Sequence, residues 1–130
     1  MVNKIVSGGK RHPMSTIYTL GHPSKRTKFT YCGSVKEGVT LHFTGRPKIS
    51  SQFFQSILNT FAGKSIPGGF NMTIPKVGGL GEWVETNSSL LNSVKLSPRH
   101  ASFIAAILEY EGFITSSLDG NTVMLHFRGD

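Results

Sequence analysis

Asp119-Gly120-Asn121, set between the strand-like runs Phe113–Ser116 and Val123–Phe127, is the strongest short-range hairpin signal in the chain. A hairpin commits its two strands to antiparallel pairing and leaves one face that must be covered by something apolar. Cover of that kind lies just upstream. Phe103, Ile104, Ile107, Leu108 and Tyr110 recur at helical spacing up to Gly112. Ser97 offers a cap oxygen there, and Pro98 suits a first helical position. A second hairpin joins Lys28–Cys32 to Val39–Phe43 through Gly33, Ser34, Lys36, Glu37 and Gly38. In its second strand Val39, Leu41 and Phe43 alternate with Thr40, His42 and Thr44, the pattern of a sheet buried on one side. A helix follows from Ser50 or Ser51 to Phe61, with Phe53, Phe54, Ile57, Leu58 and Phe61 as its apolar stripe and Gly63 as its terminator. The expected fold is α+β: an antiparallel or mixed sheet of four to six strands packed against two main helices.

Residues 1–26 read as a basic arm or loosely packed lead-in, with a short strand over Thr16–Leu20, and residues 27–130 as a single α+β domain. Between Gly63 and Gly81 the chain is crowded with glycine and broken by Pro67 and Pro75. Short strands over Phe70–Ile74 and over Leu80–Val84, the latter carrying Trp83, or a long irregular loop, would fit this stretch. Ser88–Val94 reads as a short helix or a turn. Thr40–Gly45 resembles Met124–Gly129, but the order of elements differs between the halves, so separately acquired strand chemistry explains the likeness better than duplication.

Charge narrows the function classes. The net charge is +7, but residues 1–80 hold 11 Lys/Arg against Glu37 alone, giving +10, while residues 81–130 give −3. A basic face of that kind attracts phosphate backbones by releasing condensed counterions. Cys32 is the sole cysteine, so an intrachain disulfide is excluded. No apolar run approaches membrane-spanning length, and the first residues lack the apolar core of a secretory signal. The expected location is the cytoplasm or an organellar matrix, with no membrane partner.

The five histidines show no HExxH, CxxC or close pairing with a carboxylate, so no metal site and no cofactor are expected. Gly63-Lys64-Ser65 resembles the end of a phosphate-binding loop, but Asn59 stands where the loop's first glycine belongs, and the piece follows a helix. Cys32 reads as a core cysteine rather than a nucleophile. Glu82 or Glu85 paired with His42 is the one arrangement that would serve a small basic nuclease, and no catalytic residue is assigned. What remains is a basic set for nucleic-acid contact: Lys10, Arg11, Lys25, Arg26, Lys28, Arg46, Lys48, Lys64, Lys76 and Arg99. Tyr18, Tyr31 and Trp83 would stack on unpaired bases if exposed. Ser97, Arg99 and His100, at a helix start, are placed to meet a phosphate.

The segment Ser88–Phe127 resembles the N-terminal domain of small-subunit ribosomal protein S8. The matching residues are Leu96-Ser97-Pro98-Arg99, Ile107-Leu108, Glu111-Gly112-Phe113-Ile114 and Val123–Phe127. The resemblance implies an α/β RNA-binding module and covers under a third of the chain; residues 1–80 have no counterpart in it. Together with the charge it leads to a nonenzymatic nucleic-acid-binding protein, with RNA or DNA as partner and RNA favoured. The alternatives are a protein-interaction or inhibitor module that turns its basic face to an acidic protein, and the small basic nuclease.

Overall fold

The computed structural model describes residues 14–43, 45–71, 76–92 and 94–129. Seven strands and three helices are found among them: β1 (Met14–Tyr18), β2 (Lys28–Ser34), β3 (Gly38–Leu41), β4 (Lys48–Ile49), α1 (Ser51–Phe61), β5 (Ser65–Pro67), α2 (Leu80–Leu91), α3 (His100–Tyr110), β6 (Ile114–Asp119) and β7 (Thr122–Phe127). The strands form two sheets, β1-β2-β3-β4 and β5-β7-β6, with every pairing antiparallel. The α+β architecture is therefore as expected, with its strands divided between two sheets. β1 begins two residues before the expected strand and pairs Ile17 with Phe29 and Tyr18 with Lys28.

α1 forms where its sequence is most explicit. Ser50 is extended and its side chain accepts the Phe53 N–H, while Phe53, Phe54, Ile57 and Phe61 are buried. Full burial of each such side chain contributes about 1.5–3 kcal/mol. α3 is buried nearly all round, through Ala101, Ile104, Ala105, Ala106, Ile107 and Leu108, because it touches β1 of one sheet and β6 of the other. It ends as expected at Gly112, whose φ of 90° lets Phe113 N–H reach Leu108 O at 2.9 Å and Gly112 N–H reach Glu109 O at 3.1 Å.

Two local expectations are corrected. The strand placed over residues 80–84 is the first turn of α2. Gly81 is buried there because a Cβ would lie 1.9 Å from Gly69 O, and its N–H bonds Gly68 O at 2.8 Å. The glycines serve close backbone approach as well as breaking structure. α2 runs on through Ser88, so residues 88–91 belong to it rather than to a separate helix or turn. At the start of α3 the Ser97 hydroxyl does not cap the helix. His100, Ala101 and Ser102 donate to the carbonyls three residues back, a tightened turn, and Ser97 N–H donates to His100 Nδ1 at 3.0 Å. The strand expected over residues 70–74 falls mostly outside the described residues.

Buried polar side chains tie these pieces together. Ser88 Oγ accepts Leu96 N–H at 2.7 Å and donates to Leu96 O at 3.2 Å. Asn92 Oδ1 accepts Ser50 N–H at 2.8 Å, and its amide donates to Lys48 O and Val94 O at 2.9 and 2.8 Å. Tyr31 O–H and Val35 N–H both donate to the Glu111 carboxylate, at 2.7 and 2.9 Å, joining the first sheet to the end of α3.

Candidate nucleic-acid interface

Strand alternation decides what the four-stranded sheet shows to solvent. Phe29, Tyr31, Val39, Leu41 and Ile49 are buried on one side. The opposite side carries Met14, Thr16 and Tyr18 of β1, Lys28, Thr30 and Cys32 of β2, Thr40 of β3 and Lys48 of β4. Tyr18 lies across from Lys28, and Thr40 lies across from Lys48. His42 extends the third row past β3, since its N–H bonds Thr30 O at 2.9 Å, and its Nε2 lies 3.4 Å from Cys32 Sγ. No Asp or Glu belongs to these rows. Glu37 sits in the β2–β3 turn, its carboxylate 3.3 Å from Ser34 Oγ, at the far end of β2 from Lys28, and it lines a hollow with Cys32, Thr40 and Lys48.

At the Lys28 end, the sheet meets the start of α3 across an open cleft of about 630 Å³. Its sheet side is Thr27, Lys28, Phe29, His42 and Phe43; its helix side is Ser97, Arg99, His100 and Phe103. Phe43 packs on Phe103 with ring centroids 5.0 Å apart and lies nearly parallel to His100 at 6.5 Å and 20°. Both phenylalanines are only half-buried. Burial, and then the Arg99 charge, lower the His100 pKa from its ordinary 6.5. With Nδ1 accepting from Ser97 N–H, the neutral ring carries its proton on Nε2. A second hollow of about 480 Å³ shares the His42–Phe43 wall and is completed by Gly45 and Arg46. Arg46 adopts a left-handed φ of 41°, with its N–H on Phe43 O at 2.8 Å. No carboxylate lines either space.

The basic residues named from sequence thus separate. Lys28, Arg46 and Arg99 gather around the two hollows, and Lys48 lies farther along the same sheet. Lys25 is in a 3₁₀ turn (Pro23–Lys25) and lines a hollow against the tip of the β6–β7 hairpin. Arg26 donates to Gly21 O at 3.0 Å and lines a groove with Glu109, apart from the two hollows. Lys64 and Lys76 go to the three-stranded sheet: Lys64 O accepts Phe127 N–H, and Lys76 Nζ donates to Thr122 Oγ1. Lys10 and Arg11 lie outside the described residues.

Of the stacking candidates, Tyr18 is 55% exposed on the polar face, whereas Tyr31 is 1% exposed and bound to Glu111, which removes it as a stacking surface. Trp83 packs on Phe53 and Phe61 at 5.3 and 6.0 Å, so its ring belongs chiefly to the interior. The acids lie away from the cleft. Glu82 accepts Gly78 N–H at the start of α2, and the His42 ring lies against Cys32 Sγ. Among the described residues no three His, Cys, Asp or Glu converge, and no helix is long and apolar enough to cross a membrane.

Phe43 and Phe103 are the cleft residues that sequence reasoning assigned to the core. No family model, curated protein or solved structure matches the chain.

Proposed function

We propose that the protein is a nonenzymatic nucleic-acid-binding protein, RNA favoured, that uses the polar face of its four-stranded sheet and the adjoining end of α3. One observation carries the reading: Lys28, Arg46 and Arg99 gather around two hollows that no carboxylate lines, beside an exposed Tyr18 and half-exposed Phe43 and Phe103, while Lys48 lies farther along the sheet in a hollow that it shares with Glu37. Cations beside exposed aromatic rings suit phosphates and unpaired bases together. Lys28 and Lys48 are two strands and four residues apart, about 17 Å from the sheet spacings, so one phosphate cannot contact both. The surface suits an extended backbone. The likeness of residues 88–127 to the N-terminal domain of ribosomal protein S8 is consistent with the same partner.

The test is a salt titration of RNA binding with Lys28, Arg46 and Lys48 all changed to Gln. Each phosphate contact on a single strand contributes about 0.7 to the slope of log K against log salt, so three should reduce it by about 2. Sequence-independent weakening is expected. An unaltered slope and an unaltered low-salt affinity would remove the assignment. A protein-interaction reading has its own support in the exposed Leu90, Leu91 and Val94 beyond the α2 core, and a partner retained after nuclease treatment would favour it.

A further inference from the structure

Resting on that reading, we propose that the cleft between Phe43 and the first turn of α3 seats one unpaired RNA base, so that the protein selects single-stranded over duplex RNA. The cleft differs from the rest of the polar face. Its walls are aromatic, supplied by Phe43, Phe103 and the His100 ring, whereas the sheet rows are mostly Thr and Lys. A volume of about 630 Å³ is in the range that holds a small organic ligand. Lys28 and Arg99 stand on opposite walls with no acid between them, which suits a flat, uncharged ring joined to anionic groups on either side. That combination describes a nucleotide within a strand. In a duplex the base is stacked and paired, and only phosphates reach the surface.

His100 adds a specific contact. Since Ser97 N–H occupies Nδ1, the ring offers Nε2–H as a donor, and Nε2 has no hydrogen-bond partner among the described residues. A carbonyl oxygen of a pyrimidine, or a ring nitrogen of a purine, accepts such a bond.

The experiment compares two decamers of equal charge, oligouridylate and an abasic ribose-phosphate strand, with a duplex RNA as third ligand. Oligouridylate should bind roughly tenfold or more tightly than the abasic strand, the usual effect of one base–aromatic stack. Phe43→Leu, which keeps an apolar side chain on the core but removes the ring from the cleft wall, should lower the preference severalfold. Tyr18→Ala should lower the preference less than Phe43→Leu does, separating the cleft from the exposed sheet tyrosine. As a check independent of any variant, uridine 5′-monophosphate added to the wild-type protein should shift the ring signals of His100 and Phe43 in NMR spectra. Equal affinity for the two strands, or ring signals that stay in place, would overturn the cleft assignment while leaving polyanion binding intact. Failure of both strands to bind would overturn the assignment together with the reading beneath it.

Discussion

Asn92 should be the most costly polar residue to remove, and the structure permits the loss to be worked through. Its side chain is 9% exposed and serves three backbone groups: Ser50 N–H, Lys48 O and Val94 O. In Asn92→Ala all three lose their partner. Lys48 and Val94 are exposed residues, so water can reach their carbonyls and each loss should cost about 1 kcal/mol. Ser50 is half-buried at the head of α1, and its stranded N–H should cost about 1–2 kcal/mol. The total is about 3–4 kcal/mol, equivalent to roughly 10 °C in melting temperature for a chain of this length. Urea unfolding followed by Trp83 fluorescence is a suitable assay, because that indole packs on Phe53 and Phe61 of α1. Asn92→Asp sharpens the test. It keeps the acceptor for Ser50 N–H but turns a carboxylate toward two carbonyls, so it should destabilise at least as much as alanine. A loss below about 1 kcal/mol for alanine, or a well-tolerated aspartate, would refute the account of Asn92 as the tie between β4, α1 and the end of α2.

Two further predictions concern titration. Burial, reinforced by the Glu111 carboxylate, holds the Tyr31 phenol well above its ordinary pKa of 10.0, so the folded state keeps its proton and stability should fall as pH rises beyond about 10. Absorbance at alkaline pH should show Tyr31 ionising only with unfolding, and Tyr31→Phe should flatten the alkaline decline. His100 runs the other way. Its lowered pKa means that the unfolded chain binds the proton first, so stability should decline as pH falls through 6.5 toward the folded value. His100→Gln, whose oxygen still accepts Ser97 N–H, should show less of that decline in parallel melts across pH 5–8; an identical slope would exclude His100 as its source, with Arg99, Lys28 and His42 as the charged and titratable neighbours around the cleft.

The parts of the fold legible from sequence are those whose causes are local. The Ser50 cap, the Phe53–Phe61 stripe and the Gly112 terminator act within a few residues, and so do the two hairpins. α2 was illegible because its signals are tertiary. Gly81 reads as a breaker until the Gly69 backbone is placed against it, and Ser88 occupies an inward position that hydropathy treats as a surface one. The third turn of α2 is secured by the exchange of hydrogen bonds between Ser88 and Leu96, not by apolar burial. Strand parity alone makes the burial of Tyr31 legible: it shares parity with Phe29, which turns inward, whereas Tyr18 lies across from Lys28 and turns outward. The separation of Lys64 and Lys76 from the other cations depends on β5 joining β7, a pairing some sixty residues apart in sequence that no window reveals.

A basic sheet face is in one sense automatic here. Alternation sends every second side chain of β2–β4 outward, and the first eighty residues contain a single acid, so those outward positions are neutral or cationic whatever the protein does. The cleft is different. Its helix wall comes from the C-terminal part of the chain, where acids outnumber Lys/Arg by six to three, yet the charged residue placed there is Arg99. Glu109 and Glu111 lie about ten residues farther along, at the opposite end of a helix roughly 16 Å long. The positive sheet edge and the positive end of α3 are brought together by the packing of Phe29 and Phe43 on Phe103 and of Phe43 beside His100. On the proposed reading, that junction, more than the total charge, is where ligands would be told apart.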